Sequence, residues 1–259
     1  IRASLEKAND FAVFIDIDFF GTRYFRQAGH GHEVPADRYD EAGAGRQPDL
    51  ADVLALDRAL RAELGLSEKK VIVSVGRLVH RKGQDTLVEA MPQILAQVPD
   101  AHLLFVGEGP YKDYLAERAI ELGVTPAITF IGRIQYLELP RYICVGDIFA
   151  MPSRSRLAGL EVEGLGIVYL EASACGIAVI GGKSGGAPDA VLDGQTGIVV
   201  DGESKSDVAK AAIKLLQNPE LAREMGARGR QWIIDEWRWE RWAAEFNSLL
   251  IEDQPSAPH

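Results

Sequence analysis

Short apolar runs alternate with longer segments of helical period, and this alternation constrains the fold more than any other feature. The apolar runs lie at 71–75, 102–106, 127–131, 147–151, 177–180 and 198–200. The segments of helical period lie at 84–97, 111–122, 168–175, 205–217, 219–236 and 238–251. Alternating strands and helices favour a parallel sheet, and continuous apolar runs are expected when both of its faces are buried. The sequence therefore predicts an α/β fold.

Composition and charge exclude several classes of protein. The 259 residues carry a formal net charge of -10, a balance that does not favour nucleic acid, so no nucleic-acid partner is predicted. No apolar run approaches the ~20 residues of a membrane-spanning helix. Cys144 and Cys175 lie in apolar stretches and are interpreted as buried thiols of a reducing compartment.

The first 70 residues are less regular than the rest. Residues 11–17 are consistent with a strand and 21–27 with a short helix, while 29–50 are rich in Gly, Pro, Asp and Arg and predict a linker. His30 and His32 have a spacing that suits a metal, but no second pair of ligands stands nearby. We therefore predict no metal site.

Glycines occur where the predicted strands end, at Gly76, Gly107, Gly132 and Gly181. Ligands of parallel sheets bind outside the carboxyl ends of the strands, so these glycines mark the predicted ligand site. Gly107 and Gly109 do not extend into the dinucleotide pattern G-x-G-x-x-G, because Lys112 stands at its last position. A dehydrogenase is therefore disfavoured, and a tight turn that admits a ligand is the remaining interpretation.

A basic loop, residues 76–85, follows the first predicted strand. Arg77, Arg81 and Lys82 lie at the end of a strand and close to the start of a helix, a place that favours an anion. Arg77 could bind a diphosphate through two hydrogen bonds, and Lys82 could add a point charge. A solvated surface loop explains the same pattern equally well, and both interpretations stay open.

Residues 163–171 are the most informative segment and are predicted to join a strand to a helix. Gly164 and Gly166 allow close approach of the backbone to a ligand, and the amides that open the helix can cap a phosphate. Glu163 and Glu171 could face a sugar and a ribose. A charge that complements the helix dipole, together with an unrelated surface glutamate, is the alternative.

Two further patterns have a structural explanation. Residues 185–188 form a turn into a predicted helix, with Pro188 near its first position. Trp232, Trp237, Trp239 and Trp242 cluster near the end of the chain, where packing of a terminal helix is favoured over a role in stacking on a ligand.

Together, these stretches resemble the donor-binding domain of the retaining GT-B glycosyltransferases of family four. Residues 77–85 (RLVHRKGQD), 149–152 (FAMP), 161–172 (EVEGLGIVYLEA) and 184–189 (SGGAPD) are similar to the actinobacterial enzymes that transfer mannose from GDP-mannose to phosphatidylinositol mannosides. The resemblance implies a Rossmann-like parallel sheet, the GT-B C-terminal domain, preceded by a remnant of the N-terminal domain. It covers residues 71–250 in order.

The resemblance also implies roles for particular residues. Arg77 and Lys82 would hold the diphosphate and, with Glu163 at the donor sugar, make up the predicted catalytic set. Glu171 would contact the ribose, and residues 132–134 would approach the guanine. The other residues predicted to bind the substrate are Gly76, Gly107, Gly109, Ile134, Gly164, Leu165, Gly166, Ile167 and Val168.

The implied activity is retaining transfer of mannose from GDP-mannose, or of a hexose from another nucleoside diphosphate sugar, to a lipid or glycan acceptor, without a cofactor. The implied domains are residues 1–45 (remnant and linker), 46–250 (donor domain) and 251–259 (tail). The implied location is cytoplasmic, with at most peripheral contact at the inner face of the plasma membrane. A binding module that is inactive without the acceptor domain and a sugar-nucleotide epimerase are the alternatives. Two departures from the family pattern are expected to matter. His80 occupies a position where proline is usual. The larger departure is that only residues 1–70 precede the donor domain, where the family has a full first domain that binds the acceptor and supplies a catalytic histidine.

Overall fold

The computed structural model describes residues 59–237, 241–242 and 247–248. Within this part, six parallel strands form one sheet. They are β1 Lys70–Val75, β2 Ala101–Val106, β3 Ile128–Gly132, β4 Ile148–Met151, β5 Val179–Gly182 and β6 Gly197–Val200. The predicted α/β fold is confirmed, and each predicted apolar run coincides with a strand to within two residues.

The helices follow the predicted pattern, with one addition. They are α1 Gln84–Gln97, α2 Lys112–Glu121, α3 Leu139–Cys144, α4 Ile167–Ala174, α5 Lys205–Gln217 and α6 Pro219–Glu236. Helix α3 was not predicted, because a helix this short shows too little of its period. The helix predicted after residues 185–188 is a short 3-10 helix, Ala187–Ala190, with Pro188 within its first two positions as predicted. None of the described helices has the length and apolar content needed to cross a membrane.

Several predictions fall outside the described residues. These are the strand at 11–17, the helix at 21–27, the linker at 29–50, His30, His32, the remnant of an N-terminal domain and the tail at 251–259. Of the helix predicted at 238–251, only residues 241–242 and 247–248 are described, and they are helical. The domain boundaries stay a prediction.

The chain divides into two compact units. One comprises Leu50–Gln231 and contains the whole sheet, and the other comprises Ile1–Asp49 with Trp232–His259. In the second unit, the rings of Trp232 and Trp237 meet edge to face with centroids 5.6 Å apart. The ring of Trp242 follows at 6.2 Å from that of Trp237. The described indoles therefore pack on one another, while Trp239 is outside the described residues.

The strand order is β3-β2-β1-β4-β5-β6. The chain runs outward from β1 to β3, then returns to place β4 on the other side of β1. Successive connections therefore leave β1 and β4 in opposite directions, which opens a crevice at their carboxyl ends. The sheet topology predicts the ligand site at this crevice before any side chain is considered.

One face of the sheet is covered by α1 and α5. Leu87, Met91 and Ile94 of α1 are fully buried, and they belong to the same core as Val208 and Ala212 of α5. Small residues on α5 let the two helices approach closely, and burial of each large side chain contributes about 1.5–3 kcal/mol relative to exposure. This packing fixes the start of α1, and with it the loop that follows β1.

Gly83, at the start of α1, is held against the segment that follows β4. Its φ of +71° is in the left-handed region, and an added Cβ would overlap the carbonyl oxygen of Pro152. The loop after β1 and the loop after β4 therefore touch through their backbones, with no room for a side chain at this position.

We expect Gly83→Ala to lower the free energy of unfolding by about 2–4 kcal/mol, because a strained backbone and a steric overlap add together. Gly123→Ala is the matched control: its φ of +67° imposes the same strain, but nothing lies within 4 Å of the added Cβ. A loss of about 1 kcal/mol is expected there. Urea unfolding measures both, and equal losses would contradict the close contact at Pro152.

Candidate functional site

The carboxyl ends of β1, β2 and β3 meet in a layer of touching backbone. The amide of Gly76 donates to the carbonyl of Val106 at 2.9 Å, and that of Gly107 donates to the carbonyl of Gly132 at 2.8 Å. Gly107 has a φ of +132°, and a Cβ there would overlap the carbonyl oxygen of Gly76. Gly181 lies within β5 rather than beyond it. Close packing of neighbouring backbone is therefore sufficient to explain the glycine at position 107.

The loop after β1 is joined to the loop after β2. The amide of Leu78 donates to the carbonyl of Glu108 at 2.9 Å, and that of Tyr111 donates to the carbonyl of Leu78 at 3.2 Å. A Cβ on Gly109 would overlap the Leu78 carbonyl oxygen. The basic loop is consequently fastened along one side by the turn that contains Gly109.

Lys82 and Glu163 form a buried ion pair between two loops. The Nζ of Lys82 lies 2.8 Å from Oε2 of Glu163, and the two side chains are only 12% and 7% exposed. The Nε of Arg81 lies 4.0 Å from the same oxygen. Opposite charges attract more strongly when water is excluded, although each loses hydration. The pair brings together two of the predicted site residues from opposite sides of the β1–β4 crevice.

The Glu163 carboxylate is oriented by its surroundings. The Oγ of Ser153 lies 3.4 Å from Oε2 of Glu163 and 2.9 Å from the hydroxyl of Tyr169. That hydroxyl donates to the carbonyl of Met151 at 2.6 Å, and the Glu163 amide donates to Oγ of Ser184 at 3.0 Å. Met151, Tyr169 and Ser184 lie within the motifs quoted above, but the sequence did not indicate their roles, because these contacts join separate segments of the chain.

Helix α4 begins at the crevice with donors that the described part of the chain leaves unpaired. Gly166 has a φ of +74°, and a Cβ there would overlap the ring of Tyr169. No hydrogen bond joins the amides of Gly166, Ile167 or Val168 to an acceptor among the described residues. The first amides of a helix carry the positive end of its dipole, so this terminus can bind an anion.

The glycine turn at 185–186 supports the segment before α4. The amide of Gly186 donates to the carbonyl of Gly164 at 2.7 Å, and a Cβ on Gly185 would overlap the carbonyl oxygen of Glu163. A Cβ on Gly186 would also lie 3.4 Å from Cα of Leu165. These contacts give the turn a structural role in holding residues 163–165.

Glu171 lies on α4 and is paired with a residue that the sequence did not indicate. The hydroxyl of Tyr136 donates to Oε1 of Glu171 at 3.3 Å. Burial raises the pKa of the Glu171 carboxyl to about 7, while the Tyr136 hydrogen bond and the charge of Lys82 act in the opposite direction. The carboxyl therefore changes its charge near neutral pH and lies within the field of Lys82.

The remaining predicted residues make fewer contacts within the site. The side chain of Arg77 is exposed and forms no ion pair with any residue in the described ranges, although its carbonyl accepts a hydrogen bond from Nε2 of Gln84 at 3.2 Å. Ile134 is half-buried, two residues beyond β3. Residues 163–171 also lie farther from their strand than predicted, because β4 ends at Met151 and residues 152–162 intervene. Glu171 stands about one turn into α4 rather than two.

We expect Glu171→Gln to stabilise the chain by about 1–2 kcal/mol more at pH 8 than at pH 5.5. Because the folded-state pKa is raised, the contribution of Glu171 to stability is fully present below its ordinary value of 4.5 and is lost as the pH rises through about 7. Glutamine removes that dependence. Urea unfolding at the two pH values is the measurement.

The matched control for this prediction is Glu117→Gln, on an exposed position of α2. We expect it to change the free energy of unfolding by no more than about 0.5 kcal/mol at either pH. A gain from Glu171→Gln that is the same at both pH values would be inconsistent with a carboxyl that titrates near neutrality.

Comparison with known proteins shows which family the chain belongs to. The sequence profile of the family described as Glycosyl transferases group 1 matches residues 57–232. The chain is 49% identical over 191 residues to the GDP-mannose-dependent alpha-(1-6)-phosphatidylinositol monomannoside mannosyltransferase of Mycolicibacterium smegmatis. The aligned region covers 74% of this chain and 50% of that protein. The chain thus spans about half the length of the curated relatives it matches.

Solved structures agree on the fold. HepE of Anabaena in complex with UDP has a TM-score of 0.69 at 21% identity and covers 79% of this chain and 56% of its own. The C-terminal domain of the glycosyl transferase group 1 family protein LpcC from Francisella tularensis has a TM-score of 0.61 at 24% identity. This match covers 70% of the present chain and 93% of the LpcC chain. At these identities the likeness shows the fold alone. The fold is that of the GT-B glycosyltransferases, and the chain belongs to the glycosyl transferases group 1 family.

Proposed function

We propose that the chain binds the sugar donor in a retaining mannosyltransferase, which transfers mannose from GDP-mannose to a phosphatidylinositol mannoside-type lipid. The observation that carries the proposal is the buried Lys82–Glu163 pair at the same crevice as the unpaired amides that open α4. The cation and the anion-binding helix start suit the diphosphate of a nucleoside diphosphate sugar, and the carboxylate suits the hydroxyls of its sugar. The name of the Mycolicibacterium smegmatis relative supplies the donor and the acceptor.

The diphosphate is the leaving group, and the chain offers positive charge where negative charge develops. Lys82 and the exposed guanidinium of Arg77 both lie in the basic loop. The amides of Gly166, Ile167 and Val168 add hydrogen-bond donors at the start of α4. Such preorganised groups stabilise a departing anion without reorganising during the reaction. In this proposal, Lys82 is shared between the phosphate and Glu163, so the donor sugar and its leaving group are bound by linked charges.

The two glutamates take different parts of the donor. Glu163, whose carboxylate is held by its neighbours, accepts hydrogen bonds from hydroxyls of the sugar. Glu171 accepts from the ribose, and Tyr136 orients it. The bond from the anomeric carbon to the diphosphate breaks while a bond to the acceptor oxygen forms on the same face, and a phosphate oxygen takes the acceptor proton. Configuration is thereby retained without a covalent intermediate.

Of the alternatives, the binding module that is inactive alone is not favoured, because the relatives are named as mannosyltransferases. The epimerase is not favoured, because the matching family and the relatives are glycosyltransferases. We propose a cytoplasmic location with at most peripheral contact at the inner face of the plasma membrane. The lipid acceptor named for the relatives supports the membrane contact.

Calorimetric titration of the full chain with GDP, UDP and GDP-mannose tests the donor assignment. We expect both guanine nucleotides to bind more tightly than UDP. Arg77→Ala and Lys82→Ala should each weaken GDP binding about 10–100-fold, because each removes a charge-assisted contact with the diphosphate. Arg223→Ala, an exposed arginine on α6, is the matched control and should bind GDP normally. Unchanged GDP affinity in both variants would refute the phosphate assignment.

Turnover separates the enzyme from the binding module. The full chain is incubated with GDP-mannose and vesicles that contain phosphatidylinositol monomannoside, and the release of GDP is measured together with the dimannosylated lipid. Formation of both in equal amounts supports the proposed transferase. Tight GDP binding without either product would favour the binding module.

A further inference from the structure

His80 belongs to a closed ring of four side chains at the edge of the crevice. Its Nδ1 lies 2.8 Å from Nη2 of Arg154, and its Nε2 lies 3.2 Å from the hydroxyl of Tyr111. Both partners also contact Asp85: Arg154 lies 2.6 Å and Tyr111 lies 3.0 Å from Oδ2. The imidazole of His80 lies against the ring of Tyr111, with centroids 4.4 Å apart.

The donors and acceptors of this ring require one form of the imidazole. Arg154 can only donate, so Nδ1 of His80 must carry a lone pair. Tyr111 gives its proton to Asp85, so its oxygen must accept the proton on Nε2 of His80. Only the neutral tautomer that is protonated at Nε2 satisfies all four bonds at once. A doubly protonated imidazole would present an N–H and a positive charge to the guanidinium of Arg154.

The ring connects the loops that follow β1, β2 and β4 at the carboxyl edge of the sheet, and Tyr111 comes from the loop after β2. His80 opens the 3-10 turn His80–Lys82, and Asp85 lies in the first turn of α1. Arg154 follows β4; its amide donates to the carbonyl of Arg81 at 2.8 Å, and its Nη1 donates to Oγ1 of Thr86 at 2.9 Å. The turn that carries Lys82 is therefore held at its first residue by this ring and at its last by Glu163.

We propose that His80 is a positioning residue for the donor diphosphate: its neutral imidazole closes the ring that holds the Lys82 turn, and protonation opens it. The proposal rests on the proposed function, since it assumes that Lys82 binds the donor. His80 holds the loop through a side chain that can titrate.

The charged groups around His80 favour the neutral form. Burial, followed by the charges of Arg156 and Arg154, lowers the pKa of His80, while Asp85 and Glu161 oppose this. Because the folded-state pKa lies below the ordinary value of 6.5, the ring is complete above that pH and is lost as the pH falls through the lowered pKa. Acidification is therefore expected to release the Lys82 turn.

The test is the affinity of the full chain for GDP between pH 5.5 and 8, measured by calorimetry. His80→Gln places an amide that can accept and donate but cannot titrate. We expect it to bind GDP within about twofold of the unmodified chain at pH 8. Its advantage over that chain should grow to about three- to tenfold once the pH has fallen through the lowered pKa of His80. Glu171 and the nucleotide phosphate also titrate in this range, so the readout is the difference between the two proteins.

A second pair of variants tests the ring without removing the titrating group. Tyr111→Phe deletes the hydroxyl that joins His80 to Asp85 and should weaken GDP binding at pH 8 by about three- to tenfold. Tyr114→Phe makes the same change in the neighbouring ring, which stacks on Tyr111 at 4.7 Å outside the hydrogen-bonded ring, and should not alter GDP binding.

The outcomes are distinguishable. Parallel pH profiles for His80→Gln and the unmodified chain would overturn the role of His80 and leave the proposed function standing. Equal effects of the two tyrosine variants would do the same. Absence of GDP binding by the unmodified chain at every pH would overturn the proposed function, and this inference with it.

Discussion

Burial of both faces of the parallel sheet is the constraint on which the rest of the structure depends. Once β1, β2 and β4 are covered on both sides, their side chains are committed to the core, and chemistry is left to the loops at the strand ends. The order β3-β2-β1-β4-β5-β6 then decides which loops meet. The loop after β1 and the loop after β4 become neighbours, although Gly83 and Pro152 are far apart in the chain.

The polar contacts between the loop after β1 and the segment after β4 are made by charged side chains that are largely buried from water. The Lys82–Glu163 pair and the Arg154–Asp85 pair both join a loop after β1 to the segment after β4. Breaking either would leave a charge without its partner in a partly dry environment, which costs more than the pair contributes when intact. The two sides of the crevice are thus held together in one geometry by paired charges.

Much of the fold and part of the site could be predicted from the sequence. The apolar runs predicted six strands, and the bounds of α1, α5 and α6 follow directly from their periodic segments. Helix α3 was missed because six residues carry little periodic information. Tyr136 was also missed, since a single tyrosine in a loop has no spacing to mark it. Its hydrogen bond to Glu171 is what connects it to the site.

The sequence alone determined the six strands, the long helices, the glycine turns and the residue types at the strand ends, because these depend on local periodicity and backbone conformation. Tertiary structure decided which of them act together. Lys82 meets Glu163, and His80 meets Arg154, only because β4 returns to the side of β1. Such pairs are long-range consequences of strand order, and charge and burial give them their strength. The local sequence pattern does not show which strands become neighbours or which side chains become buried.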